Sequence, residues 1–180
     1  TVSYAAAAHA VTHARSAGHA EVLARALDAY VVAAMRVRKF DEADEALAEA
    51  EALAPATHTG LRTNLLETRG NLGMVSGRDL DGAAQAFEQV RKMRLASGDA
   101  TGATTTAINL AEIEHARGRT EQALKLAQDC FVALGPANRQ SFLILLANRC
   151  GYLVVLDRFS EARTATREGL PDVSLQDATA

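Results

Sequence analysis

The sequence predicts an all-α fold: a right-handed superhelical array of antiparallel helix hairpins, about nine helices in all. Three observations carry this. The segments Lys39-Phe40-Asp41-Glu42-Ala43, Asp79-Leu80-Asp81-Gly82-Ala83, Arg119-Thr120-Glu121-Gln122-Ala123 and Arg158-Phe159-Ser160-Glu161-Ala162 resemble one another, and their alanines are 40, 40 and 39 positions apart. Each reads as a helix start, with a mostly apolar residue tucked in and acidic groups near the positive end of the dipole. Gly18, His58, Gly98 and Asn138 form a second series with the same 40-residue period. Each stands between two helical patterns, in a residue type that can end a helix in the left-handed conformation. Finally, apolar and small residues recur at helical spacing, while strand signals are missing.

The elements follow in order. A first helix over 2–17 ends at Gly18, and a second covers 20–37. The third, 41–54, opens on the first of the four start segments and closes at Pro55. A fourth over 60–76 meets the turn Ser76-Gly77, which must be tightened or leave the helix irregular. The fifth, 80–97, carries the stripe Ala83, Ala86, Phe87, Val90, Met93 and Ala96. The sixth, 100–117, absorbs the β-branched run Thr104 to Thr106, and the seventh, 121–134, repeats the stripe with Ala123, Leu124, Ala127, Cys130, Phe131 and Leu134. An eighth over 138–156 is apolar nearly all round, and a short ninth covers 159–169. Counted along the chain, the odd helices are termed B and the even ones A. They group as a half repeat (1–18), repeats 20–54, 60–97, 100–134 and 138–169, and a flexible tail over 171–180. The whole of 1–170 is expected to be a single domain.

Composition narrows the class. The 180 residues are 48% hydrophobic, 23% charged and 4% aromatic, with a net charge of −3 and no Trp. This excludes a disordered acidic tail, a collagenous chain and a disulfide-stapled miniprotein, and it disfavours a nucleic-acid binder. Alanine fills roughly a fifth of the positions, with only three prolines, which favours helix throughout. The most lipid-like run, Phe142 to Leu156, carries Asn148 and Arg149 at its centre and is too short to span a bilayer. With two cysteines, no glycosylation sequon and no signal peptide, the chain is expected in a reducing cytoplasm, without contact to membrane or nucleic acid.

Chemical motifs are sparse. His9 and His13 have a zinc-compatible spacing, but two ligands are not a site and no neighbouring Glu completes one. Asp79-Leu80-Asp81-Gly82 has the glycine too early for a calcium loop, so Asp79 reads as a helix cap. Cys130 and Cys150 fall on neighbouring helices and read as inert thiols. Glu112, Glu114 and His115 form the one acid–base cluster, and on a helix such a cluster is ordinarily a surface feature. The basic run Arg91-Lys92-Met93-Arg94 reads as a solvated face. No phosphate-binding glycine motif is present. The sequence therefore predicts no enzyme activity, no metal and no cofactor.

Asn109-Leu110-Ala111, Gly118, Ala123, Ala127 and Cys130 resemble the tetratricopeptide pattern, as do Phe40, Ala43, Leu47, Ala50 and Pro55. The resemblance covers nearly the whole chain, in a variant of about forty residues per repeat. The Trp position of that pattern is Leu27, Glu67, Ala107 and Leu146 here, and Asn71-Leu72-Gly73 is two residues out of register. The long repeat and the Ala96-Ser97-Gly98-Asp99 linker are similar to the C-terminal arrays of bacterial regulatory ATPases and transcriptional regulators. There, the resemblance implies, the array senses a small molecule or a partner protein. It also implies that A helices line a concave groove, which would expose Arg25, Asp28, Arg36, Arg69, Ile108, Glu112, His115 and Asn148 to a protein, a peptide or a small effector. A self-contained adaptor or oligomerisation scaffold is the alternative.

The ends carry one more expectation. Thr1 falls near the start of a B helix whose A partner is missing, and the helix over 138–156 is apolar on every side. The chain is therefore expected to be the C-terminal part of a longer protein. Tyr4, Val11, Leu145 and Leu153 should contact another repeat or another subunit, with homodimerisation through the array ends.

Overall fold

The computed structural model describes residues 3–134 and 139–169. Among these it contains nine helices and no strand: α1 (Tyr4–Ala17), α2 (Ala20–Arg36), α3 (Phe40–Leu53), α4 (Thr59–Ser76), α5 (Leu80–Ala96), α6 (Ala100–Ala116), α7 (Thr120–Leu134), α8 (Arg139–Val155) and α9 (Phe159–Gly169). The chain is an all-α helical array with two compact units, Thr1–Met93 and Arg94–Ala180, whose boundary falls in the last turn of α5. Asn138 and the expected tail over 171–180 lie outside the described residues.

In the first unit α1 packs on α2, α2 on α3 and α3 on α4, with α2 also touching α4. Its core gathers Ala24, Leu27, Val31, Phe40, Ala43, Leu47, Leu61 and Leu65. In the second unit α6 packs on α7, α7 on α8 and α8 on α9, and α6 also meets α8. There the core is Ala107, Ile108, Ala111, Ala123, Ala127, Leu145, Leu146, Tyr152 and Leu153 with Ala162 and Ala165. The four period-defining alanines, Ala43, Ala83, Ala123 and Ala162, are all buried.

The second repeat shows why they must be small. A Cβ placed on Gly73 of α4 would lie 2.9 Å from the Cβ of Ala83 and 2.8 Å from the Asp79 carbonyl oxygen. One turn away, a Cβ on Gly70 would lie 2.8 Å from the Phe87 ring. Thus α4 presents bare backbone to α5, which fills the gap with Phe87. The Asn71-Leu72-Gly73 register, shifted against the third repeat, supplies this close crossing.

Helix ends follow simple local chemistry. Ser3, Asp79 and Asp99 accept the backbone N–H of Ala6, Gly82 and Gly102 through their side chains. Acidic residues occupy the first turns of α3, α5, α7 and α9, as the start segments predict. Each A-to-B turn passes through one residue at positive φ: Arg38 (60°), Gly77 (68°), Gly118 (78°) and Asp157 (59°). At three of them the following N–H reaches back to close the turn, Lys39 to Ala34, Arg119 to Glu114 and Arg158 to Leu153. The Ser76-Gly77 turn instead uses the single bond from Gly77 N–H to the Gly73 carbonyl, and Arg78 and Asp79 follow before α5 begins. That is how the second repeat absorbs its odd register without an irregular helix.

Three expectations need correction. His58 does not end a helix: it caps the start of α4, its Nδ1 accepting the Leu61 N–H at φ −92°. It therefore matches His19 and Asp99, one position after Gly18 and Gly98. Phe159 is not tucked in but 55% exposed. Leu145 and Leu153 are buried by the chain's own second core; the exposed apolar residues of α8 are Leu143, Ile144, Val154 and Val155. No helix among the described residues is long and apolar enough to cross a membrane.

Candidate functional site

In the second unit the neighbouring A helices α6 and α8 bring together three of the groove residues expected from sequence. Glu112 and His115 are three apart on α6, while Asn148 and Tyr152 are four apart on α8, so each pair shares a helix face. Asn148 Nδ2 donates to Glu112 Oε1 at 3.1 Å. One turn further on, the His115 ring packs on Tyr152 with centroids 4.9 Å apart, and His115 Nδ1 sits 3.1 Å from Thr120 Oγ1.

Tyr152 is the unexpected member. It is 4% exposed, and its hydroxyl has no hydrogen-bond partner among the described residues. Burial pushes that hydroxyl up to about 12, with the Glu112 charge adding to the effect. The phenol therefore stays protonated. A buried hydroxyl without a partner is a standing penalty of about 1–3 kcal/mol.

The surface above it is also unusual. Gly151 is exposed inside α8, four residues before its end, and a Cβ there would meet nothing within 4 Å. A helix-interior glycine destabilises by roughly 0.5–1 kcal/mol relative to alanine, and packing among the described residues does not require it here. Ile144, Asn148, Gly151 and Val155 recur at the spacing of one helical stripe, with Ile144 and Val155 exposed. The surface thus offers a carboxylate, a carboxamide, a bare stretch of helix backbone and two apolar flanks.

Other expected site residues are placed differently. Ile108 is not a surface residue: it is buried in the second core with residues of α7 and α8. Glu114 is buried too and held by Arg117 at 2.7 Å and Arg119 at 3.3 Å, so the acid–base cluster Glu112, Glu114 and His115 splits. In the first unit Thr68 Oγ1 donates to Asp28 Oδ1 at 2.6 Å, joining α2 to α4. Burial raises the Asp28 carboxyl above its ordinary value, opposed by the Thr68 hydrogen bond and by Arg25. Arg25 is exposed and bonded to Glu21, whose Oε1 also lies 3.1 Å from His58 Nε2. With His58 Nδ1 accepting from backbone, Nε2 is the donor to Glu21. Arg36 is exposed in the last turn of α2.

Arg69 turns the other way. Its guanidinium grips Glu51 of α3 through two bonds of 2.6 and 2.7 Å, which raises its pKa. It lines a cavity of about 380 Å³ with Arg62, Leu65, Ala54 and Gln89, away from the Asp28–Thr68 contact. A second cavity, about 370 Å³, lies among α1, α2 and α3 and is lined by Arg15, Tyr30, Glu42, Glu45 and Glu49.

The remaining motifs are local. His9 and His13 are exposed on α1, and no group of three metal-type ligands occurs among the described residues. Arg94 is not a solvated charge, since it donates to the Gly102 carbonyl at 2.9 Å and to Thr106 Oγ1 at 2.7 Å. Neither cysteine forms a disulfide; Cys130 lies against the Thr104 carbonyl and Cys150 against Thr166.

Sequence reasoning missed Thr68 and Tyr152. Thr68 stands one 40-residue period after Asp28, a signal that was available. Tyr152 reads as one more apolar residue of a fully apolar helix, and only burial of its hydroxyl distinguishes it.

No protein-family model matches the chain, and no curated protein sequence matches it. Among solved structures it is similar to the crystal structure of BtubC (BKLC) from P. vanneervenii, with a TM-score of 0.72 and 17% identity. The match covers 96% of this chain and 74% of that one. At this identity the likeness is one of fold, a helical-repeat array.

Proposed function

We propose that the chain is a non-catalytic binding module of the tetratricopeptide type, in a long repeat variant, that holds a segment of another protein on its A-helix face. One observation supports this above others: Asn148 of α8 meets Glu112 of α6 one turn from Tyr152, whose buried hydroxyl has no partner among the described residues. The proposal extends to cellular role. The module serves as the sensing arm of a larger bacterial cytoplasmic regulator, following the repeat length and linker described above. Two of the three acid–base candidates are engaged within the fold, Glu114 by two arginines and His115 Nδ1 by Thr120, which supports a binding role.

Selection from a random peptide library displayed on phage tests the binding role directly. Peptides that bind the wild-type chain and lose binding to Asn148→Ala support it. A selection that enriches nothing, or peptides indifferent to Asn148→Ala, overturns it. The scaffold alternative draws on the exposed Val154, Val155 and Phe159, and predicts a concentration-dependent mass in sedimentation.

A further inference from the structure

Building on that binding role, we infer that the α6–α8 face recognises a lysine or arginine side chain of a partner segment whose backbone passes over Gly151. The inference deepens the proposed function by fixing the chemistry of the ligand.

Charge comes first. Glu112 is half-buried, and among the described residues its only bonded partner is the neutral amide of Asn148. Glu114, the one other carboxylate half-buried or more among the described residues of this unit, holds two arginines. A carboxylate that is partly desolvated without a counter-charge attracts a cation, and the amide of Asn148 fixes its direction. The arriving group would be an ammonium or guanidinium.

Geometry supplies the second argument. The Tyr152 hydroxyl is buried, unpartnered and close enough to Glu112 to feel its charge. A long cationic side chain that enters between α6 and α8 brings donors to Glu112, and it lets the Tyr152 oxygen act as acceptor. Arginine suits this well, because its planar fork can address two oxygens at once. The third argument is Gly151, which keeps side-chain atoms off the helix surface next to the entry point although no described residue occupies that space. A bare helix surface admits the close approach of a second backbone. Ile144 and Val155, one on each side along the stripe, would flank it with apolar contacts.

The same phage selection, run at low and at high salt, separates this inference from the broader one. The inference expects enrichment of peptides with a central Lys or Arg, whose affinity falls about tenfold or more with Glu112→Gln and weakens with salt. Gly151→Ala should weaken the same peptides while leaving the chain folded. Tyr152→Phe should also weaken them, and should raise the melting temperature of the free chain because it removes an unsatisfied hydroxyl. Enrichment of acidic or uncharged peptides overturns the cationic assignment yet leaves the binding role standing. Basic peptides that bind Glu112→Gln as well as wild type overturn it equally. A selection that enriches nothing fails both.

Discussion

Thr68 donates its hydroxyl to the Asp28 carboxylate across 2.6 Å, a contact between side chains forty positions apart in sequence. It ties one A helix to the next, and it makes a partly buried charge depend on a single uncharged donor. Asp28 has a raised pKa, with burial the leading cause. Its contribution to stability is therefore fully present below its unfolded value near 3.8 and is lost as pH rises through the folded value. Asp28→Asn should flatten the decline in stability above pH 3.8, measured by urea unfolding over a pH series. Thr68→Val should cost about 1–3 kcal/mol at neutral pH and less in acid. Equal losses at both pH values would show that the hydroxyl does not serve the carboxylate.

A network at the start of the first unit has the opposite sign. Both Tyr4 and Tyr30 donate to Glu42 Oε2, and Lys39 reaches its Oε1 at 2.8 Å. The Lys39 bond first, then those from Tyr30 and Tyr4, lower the Glu42 carboxyl to about 2. The stabilisation is present above the ordinary value of 4.5 and fades as pH falls toward 2. The chain has no Trp and three tyrosines, so tyrosine fluorescence can follow α1 as it loosens in acid. Glu42→Gln should remove that acid transition; an unchanged transition would place its origin elsewhere.

Overpacking tests the helix crossings. Ala83 faces a backbone that cannot recede, because Gly73 already lies at the limit of approach. Ala83→Leu and Ala123→Leu should each lower stability by roughly 1–3 kcal/mol, and Gly73→Ala should destabilise as well. Thermal melts with no loss for any of the three would mean that the crossings are looser than described.

Two glycines should respond in opposite directions. Gly151→Ala should stabilise the free chain by roughly 0.5–1 kcal/mol, since the site is helical and open. Gly77→Ala should destabilise it by about 1 kcal/mol, because φ there is 68°. Parallel urea titrations decide both.

How far the sequence reveals these features depends on what kind of signal each leaves. Buried alanines at a fixed period are legible because only a small side chain fits a crossing, so Ala43, Ala83, Ala123 and Ala162 mark it directly. The A-to-B turns are half legible: Gly77 and Gly118 announce a positive φ, whereas Arg38 and Asp157 adopt the same conformation without advertising it. His58 misleads because histidine can stand at either end of a helix, and only its Nδ1 bond to Leu61 decides. At the site, Glu112, His115 and Asn148 stand out as polar residues on A helices. Tyr152 does not, because whether a phenol is satisfied depends on neighbours from another helix. Arg69 could not be oriented without knowing that Glu51 waits on α3.

The stepwise packing within each unit, helix on next helix, has a thermodynamic corollary. Large side chains are buried in each unit, Leu47, Leu61 and Leu65 in the first cluster, Leu145, Leu146 and Leu153 in the second. Cooperativity in a folded chain extends as far as its shared core, and repeat arrays lose it where neighbouring segments are independently packed. Calorimetric enthalpy should then exceed the van't Hoff value obtained from the same melt. Amide exchange should resolve graded protection within each unit, lowest in α1 and α9, which pack chiefly on α2 and α8, instead of a single global opening.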